Sequence, residues 1–167
     1  MRKLLIPSKD TTIYQTYPGV NGGFEEILEI GKMVTASNPT GSYDSGSART
    51  LIYFDLPTTA SVSSNADYYL NLRLANASKV KRNQTILVYQ VSRSWDEGSG
   101  YLYQYPYNTG DGATWAQATT STSWSRSGGD FLTGSTSASV QLQSYPIEDL
   151  RIDVTSILRP IVSNSLQ

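Results

Sequence analysis

Cysteine and histidine are both absent from the 167-residue chain. Without cysteine there is no disulfide framework, no thiolate nucleophile and no cysteine-ligated metal. The lack of histidine removes the usual general base, a member of every Ser/His/Asp triad and the commonest zinc ligand. An enzyme that uses carboxylates alone, as glycosidases do, is still possible. We therefore predict a protein that is not an enzyme and that carries no cofactor.

Charge and long apolar runs are also scarce. Asp, Glu, Lys and Arg make up 16% of the residues, and the formal net charge is −1. Because no basic run is present, neither nucleic acid nor an anionic membrane is an expected partner. No segment approaches the roughly 20 apolar residues of a transmembrane helix, and the opening MRKLLIPSKD has too short an apolar run for a secretory signal. Synthesis in a cytoplasm is therefore expected.

Alternating apolar and polar residues predict a single all-β domain with antiparallel strands. In residues 66–77, ADYYLNLRLANA, the apolar side chains of Tyr68, Leu70, Leu72 and Leu74 alternate with other residues. Six more β-branched or aromatic segments are predicted as strands: 11–17, 27–31, 49–57, 84–92, 139–145 and 149–154. No helical segment of 10–15 residues separates them, so parallel crossovers are not expected.

The remaining segments are predicted as loops and one helical turn. Residues 32–48 and 93–138 are rich in Gly, Ser, Thr and Asp, and the second range contains all three tryptophans. The helical turn is predicted at residues 156–158, with Asp153 or Thr155 as its N-cap and an end before Pro160.

The order of these segments resembles a known family. The chain contains a series of short motifs in sequence: DTTI from residue 10, NGGFEEILEIG, ARTLIYFDLP, ADYYLNLRL, ILVYQVSRSWDEGSGY, GATWAQATTSTSWSRSGGDF and LRIDVTSIL. This series is similar to the disaggregatase-related (DNRLRE-type) β-sandwich domain over nearly the whole chain. The most specific matching residues are Trp95 with Glu97, Thr114 with Trp115, Trp124, and Gly128 and Gly129 with Asp130.

The resemblance implies an antiparallel β-sandwich of jelly-roll type that serves as a structural or carbohydrate-binding module. In that family the pattern usually continues after the DVT turn into further strands, whereas here the sequence stops at Gln167. We therefore expect the last strands to be supplied by residues beyond 167 or by another chain. The amino-acid sequence as a whole is also similar to structural proteins of tailed bacteriophages of marine and cyanobacterial type. A virion protein is made in the host cytoplasm but works outside cells.

The long loop offers two alternative roles for its tryptophans and carboxylates. Trp95, Trp115 and Trp124 could stack on sugar rings, but their place in the family pattern favours a role as loop anchors, together with Glu97 and Asp130. The carboxylates of this loop and of residues 148–149 could form an acid/base pair or a calcium cage. Local bonding to the backbone is the preferred role because no EF-hand spacing is present, and no metal site is predicted.

A stripe of tyrosines follows the first tryptophan. In YLYQYPY, Tyr101, Tyr103, Tyr105 and Tyr107 occupy alternate positions, so an extended chain places them on one face. Tyrosine combines a large contact area with few rotors, which suits interfaces. The alternatives are packing on the protein's own loops, contact with a neighbouring protein, and contact with a glycan; the protein neighbour is preferred to the glycan.

The function predicted from the sequence is that of a structural component of a tailed-phage virion, located at the capsid exterior, neck, tail or a fibre. Other virion proteins are the expected partners, in a homo- or hetero-oligomer that assembles through aromatic contacts. The alternative is a carbohydrate-binding module that recognises a cell-surface or secreted polysaccharide. A carboxylate-dependent glycan lyase or hydrolase is the third and weakest interpretation.

Overall fold

The computed structural model describes residues 3–34, 45–56, 65–75, 83–102, 111–134, 137–144 and 148–165. These ranges contain nine strands and one helix: β1 (Lys9–Tyr14), β2 (Gly31–Val34), β3 (Ser45–Tyr53), β4 (Tyr69–Leu72), β5 (Gln84–Tyr89), β6 (Gln117–Thr119), β7 (Thr122–Ser123), β8 (Ser137–Leu142), β9 (Leu150–Asp153) and α1 (Thr155–Ser165). All strand pairings are antiparallel. The predicted β-rich class is confirmed.

The chain divides into two compact units, each made of two stretches of sequence. Unit 1 comprises Met1–Asp55 and Val91–Asp130, and unit 2 comprises Leu56–Gln90 and Phe131–Gln167. The single domain predicted over residues 1–167 stays a prediction.

Unit 1 contains a three-stranded sheet in the order β1-β3-β2 and the short β6–β7 pair. The side chains from Thr11 to Tyr14 are fully buried, so β1 is covered on both faces. Beyond β1 the chain turns back, and Asn21 forms an isolated antiparallel bridge with Ile13. Two apolar clusters fill the unit: one of Ile13, Leu51, Trp95, Ala113, Trp115, Ala118 and Trp124, and one of Tyr14, Val20, Ala48 and Leu102.

Unit 2 contains two two-stranded sheets, β4–β9 and β5–β8, and the helix α1. The predicted alternation in β4 is confirmed, since Leu70 and Leu72 are half-buried while Tyr69 and Asn71 are exposed. Together these elements enclose one apolar cluster, built on Ala138, Ile152, Val154 and Ile157, with Tyr68, Leu70, Leu72, Val88, Val140, Leu150 and Leu158 packed against it.

Most predicted strands are confirmed to within a few residues, but the strand at 27–31 is wrong. The structure places β2 at Gly31–Val34, so only Gly31 belongs to both ranges. The backbone N–H of Glu29 donates to the Thr12 hydroxyl, 3.0 Å away, and the Glu29 carbonyl accepts from the Thr50 hydroxyl at 3.1 Å. The backbone N–H and carbonyl of Glu29 are therefore hydrogen-bonded to threonine side chains and not to the backbone of a neighbouring strand.

The two segments predicted as loops contain strands that were not expected. Within 32–48, β2 pairs with the beginning of β3, where Gly31 lies opposite Ala48 and Val34 opposite Ser45. Within 93–138, the chain forms β6, β7 and the start of β8. Strand pairing in these Ser- and Gly-rich segments depends on partners that are distant in sequence, and local composition does not reveal it.

The predicted helical turn at 156–158 continues past Pro160 to Ser165. Proline lacks the N–H that would bond to the Ser156 carbonyl, which normally ends a helix. Here Val162, beyond the proline, is buried, and this burial offsets the lost hydrogen bond. The predicted N-cap at Asp153 or Thr155 is wrong, because the Val154 carbonyl accepts the first helical bond, from the Leu158 N–H at 3.0 Å. Asp153 lies one residue earlier, and its Oδ1 accepts from the Thr155 backbone N–H at 2.9 Å in a turn that precedes the helix.

Candidate functional site

The irregular segments of unit 1 are held together by one buried side chain, that of Asn21. Its amide nitrogen Nδ2 donates to the carbonyl oxygens of Glu97 and Ala113, at 2.7 and 2.6 Å. Its oxygen Oδ1 accepts from the backbone N–H groups of Gly23 and Gly100, each at 2.9 Å. One side chain therefore replaces four backbone partners for segments that form no regular sheet.

Two glycines allow these segments to approach one another. Gly98 and Gly112 both have a positive φ, 79° and 72°. A Cβ at Gly98 would lie 2.5 Å from Asn21 Oδ1, and a Cβ at Gly112 would lie 2.4 Å from the Gly98 Cα. Only glycine fits these positions, for both conformational and steric reasons.

The three tryptophans lie in one apolar cluster of unit 1, and each ring is almost completely buried, with 5–8% of the residue exposed. The Trp124 indole N–H donates to the Thr114 carbonyl at 2.9 Å. The Arg49 guanidinium lies 4.7 Å from the centroid of the Trp115 ring and donates to the Gly128 carbonyl at 2.6 Å. Burial lowers the pKa of Arg49. These buried rings offer no open face on which a sugar could stack.

Asp130 organises the turn that follows Trp124. Its Oδ2 accepts from Arg93 Nε at 2.6 Å and from the Ser125 backbone N–H at 3.0 Å, and its Oδ1 accepts from the Arg126 backbone N–H at 3.0 Å. These hydrogen bonds, the Ser125 backbone bond first, hold the pKa of Asp130 far below its usual range. The carboxylate is thus kept ionised as a structural acceptor.

Glu97 lies close to the start of β1. Its Oε1 accepts from the Asp10 backbone N–H at 2.8 Å, while its own carbonyl bonds to Asn21. Burial raises the pKa of Asp10, and the negative charge of Glu97 raises it further. Among the described residues, no three or more acidic side chains are grouped so as to hold a metal ion.

An exposed aromatic pair borders this bonded loop region. The rings of Phe24 and Tyr101 lie 5.7 Å apart in an edge-to-face arrangement with an interplanar angle of 69°. The Phe24 backbone N–H donates to the Gly100 carbonyl at 3.0 Å, and Glu25 Oε1 accepts from the Leu102 N–H at 2.7 Å. Both rings are exposed, whereas Leu102 is buried. The two backbone segments that carry the rings, at residues 24–25 and 100–102, are therefore hydrogen-bonded to each other.

The structure brings together some of the residues singled out in the sequence and leaves others undescribed. Trp95, Trp115 and Trp124 share one cluster, and Tyr101 lies at the surface beside Phe24. The other three members of the tyrosine stripe, Tyr103, Tyr105 and Tyr107, lie outside the described residues.

Asn21 and Phe24 were not singled out in the sequence. The only local signal for Asn21 is the Asn-Gly-Gly sequence at 21–23, which indicates a turn but not its distant partners. The sequence did not indicate that Phe24 is exposed, because a single aromatic residue is usually buried.

No protein-family model, curated protein or solved structure matches this chain. In the part of the chain that the structure describes, no helix has the length and apolar character needed to cross a bilayer.

Proposed function

We propose that this chain is a structural component of a tailed-bacteriophage particle and that it assembles with other virion proteins through exposed aromatic residues of unit 1. In this proposal its strands belong to an antiparallel β-sandwich of jelly-roll type. The observation that carries the proposal is the exposed Phe24–Tyr101 pair, seated on a backbone that Asn21 and Glu25 hold in place.

The geometry of the pair suits a protein neighbour. Aromatic side chains on a rigid backbone lose little entropy when they are buried, and they commonly provide a large share of interface energy. The rings are inclined at 69° and do not form one flat platform. A pair of coplanar rings would suit the flat face of a sugar better. Tyr101 is also the first residue of the tyrosine stripe, whose other three members lie outside the described residues.

The first test is membership of the particle. Mass spectrometry of purified virions, from a phage whose genome encodes the chain, should detect the protein in constant proportion to the major capsid protein. Its absence from intact particles, together with binding to a polysaccharide on a glycan array, would replace this proposal with the carbohydrate-binding alternative.

The second test addresses the surface. The variant Phe24→Ser/Tyr101→Ser should enter particles at least about tenfold less than the wild type, because anchoring aromatic residues dominate interface energies. The matched control is Tyr69→Ser, which removes an exposed ring of unit 2. Thermal melts of each variant separate lost assembly from lost folding. Equal incorporation of all three proteins would rule out the aromatic pair as the contact.

A further inference from the structure

Two segments of unit 1 leave large apolar side chains in water. In residues 3–7, Leu4 is 81% exposed and Ile6 is 78% exposed. In residues 24–30, FEEILEI, Phe24, Ile27 and Ile30 are each about half exposed, at 53%, 54% and 50%. Single exposed apolar residues are ordinary, but two clusters within short stretches of chain are typical of interaction surfaces.

Neither segment covers the other within one molecule. A side chain that packed against residues 24–30 would lose most of its exposure, whereas Leu4 and Ile6 keep about four-fifths of theirs. Leu4 and Ile6 are two residues apart, so an extended chain presents them on one side. The segment is attached at a defined point, because the Ser8 backbone N–H donates to the Tyr53 carbonyl at 2.9 Å.

The charges of the two segments are complementary. Lys3 is exposed next to Leu4, and Arg2 precedes it in the sequence. Residues 24–30 contain three glutamates and no basic residue, and Glu26 is exposed beside Ile27. Opposite charges at the border of an apolar contact favour the correct partner and speed association. The two segments thus match in apolar character and are opposite in charge.

We propose that residues 3–7 of one copy of this chain bind across residues 24–30 of a second copy. Leu4 and Ile6 pack on Ile27 and Ile30, and Lys3 lies beside Glu26. The two surfaces differ, so each molecule both offers and accepts a segment. Two copies that exchange segments about a twofold axis form a closed dimer, whereas repetition in one direction generates a ring or an open row of subunits. The inference deepens the proposed structural role, on which it rests, by naming a second copy as one partner.

The decisive experiment is complementation between two defective variants of the full chain. One variant, Leu4→Ser/Ile6→Ser, loses the offered segment, and the other, Ile27→Ser/Ile30→Ser, loses the accepting one. In sedimentation velocity the wild type should associate as its concentration rises. Each variant alone should associate on the order of 10–100-fold more weakly, because two apolar side chains per contact are lost.

An equimolar mixture of the two variants should form a 1:1 heterodimer, because one intact pair of surfaces remains in it. A wild type that stays monomeric throughout the concentration series, or a mixture with no heterodimer, would overturn the inference. The control Leu87→Ser/Leu132→Ser removes exposed apolar side chains from unit 2 and should associate like the wild type. Circular dichroism verifies that every variant is folded.

A charge exchange provides an independent measurement. Lys3→Glu should weaken association several-fold, and the combined variant Lys3→Glu/Glu26→Lys should recover it, with a smaller difference at high salt. Failure of complementation refutes the inference by itself, and a combined variant that does not recover association would refute the contact between Lys3 and Glu26. Loss of incorporation by Phe24→Ser/Tyr101→Ser would still support the proposed function in that case, so the two proposals fail separately.

Discussion

Asn21 in unit 1 and Ile152 in unit 2 are both almost fully buried, at 0% and 1% exposed, but they stabilise their surroundings in different ways. Asn21 makes four short hydrogen bonds to backbone groups of three irregular segments. Ile152 lies on β9 within an apolar cluster. The irregular segments of unit 1 therefore depend on specific polar contacts in addition to the two apolar clusters of that unit, and such contacts tolerate little change. The surroundings of Ile152 depend on apolar burial, which tolerates substitution by residues of similar volume.

The largest expected effect is that of Asn21→Ala. The substitution leaves two carbonyl and two N–H groups without their partner, and each buried unsatisfied group costs about 1–3 kcal/mol. Four such groups would amount to about 4–12 kcal/mol. Because the Glu97 carbonyl and the Gly23 N–H are only part-buried, we expect unit 1 to lose an amount in the lower half of that range, about 4–8 kcal/mol, of its free energy of unfolding. The three tryptophans of the chain all lie in unit 1, so the change in tryptophan fluorescence during urea unfolding measures this unit.

The matched control for Asn21→Ala is Asn71→Ala in unit 2. The Asn71 side chain is exposed and makes one long bond of 3.5 Å to the Tyr69 carbonyl, so its loss should change stability by less than about 0.5 kcal/mol. Similar losses for the two variants would contradict the view that Asn21 organises unit 1.

The second largest loss of stability is expected when a buried tryptophan ring of unit 1 is removed. Trp124→Ala should lower the free energy of unfolding by about 3–5 kcal/mol, the usual scale for a large buried aromatic residue. Trp124→Phe keeps most of the ring but loses the 2.9 Å bond to the Thr114 carbonyl, so a smaller loss is expected. The counterpart in unit 2 is Ile152→Val, which should cost about 0.5–1.5 kcal/mol. A Trp124→Ala protein that melts like the wild type would show that the ring is not an anchor.

The same difference explains how much could be predicted from the sequence. The strands of unit 2 were predictable because Leu70 and Leu72 follow the period of two that a half-buried strand requires. Unit 1 was less predictable because its backbone groups bond to side chains far away in sequence. Asn21 bonds to the carbonyl of Ala113, 92 residues away, and no local pattern encodes that contact.

The candidate site was predictable only in part, for a related reason. Tyr101 was identified because the alternating tyrosines indicate an extended face. Its partner Phe24 was missed because the two residues meet through the bonds that Asn21 and Glu25 make to residues 100–102. The exposure of Leu4 and Ile6 was equally unpredictable, since apolar residues next to a strand are usually buried.

A pH-dependent effect of intermediate size is expected at Asp130 in unit 1. Its folded pKa lies below the unfolded value of about 3.9, so it stabilises the folded state above roughly pH 4 and this contribution is lost as the pH falls further. Asp130→Asn should therefore melt below the wild type at pH 7, and the gap should narrow towards pH 3.

The comparison between wild type and Asp130→Asn removes the contribution of other acidic groups, including Asp153 of unit 2. The pKa of Asp153 is also lowered, chiefly by hydrogen bonds from Thr155. A gap in melting temperature that is the same at pH 7 and pH 3 would show that the charge of Asp130 does not contribute to stability.

The smallest expected effect is in unit 2, where the Arg151 guanidinium lies 3.9 Å from the centroid of the Tyr69 ring. Both side chains are exposed, and a cation–π contact in water is worth about 0.5–1 kcal/mol. A double-mutant cycle with Arg151→Gln and Tyr69→Leu, followed by far-UV circular dichroism during urea unfolding, should give a coupling energy in that range. The counterpart in unit 1, the half-buried Arg49 over the buried Trp115 ring, should couple more strongly, by about 1–2 kcal/mol, because the ring is removed from water. Equal coupling energies for the two pairs would mean that burial does not distinguish them, and the contrast between the units would then be limited to hydrogen bonding.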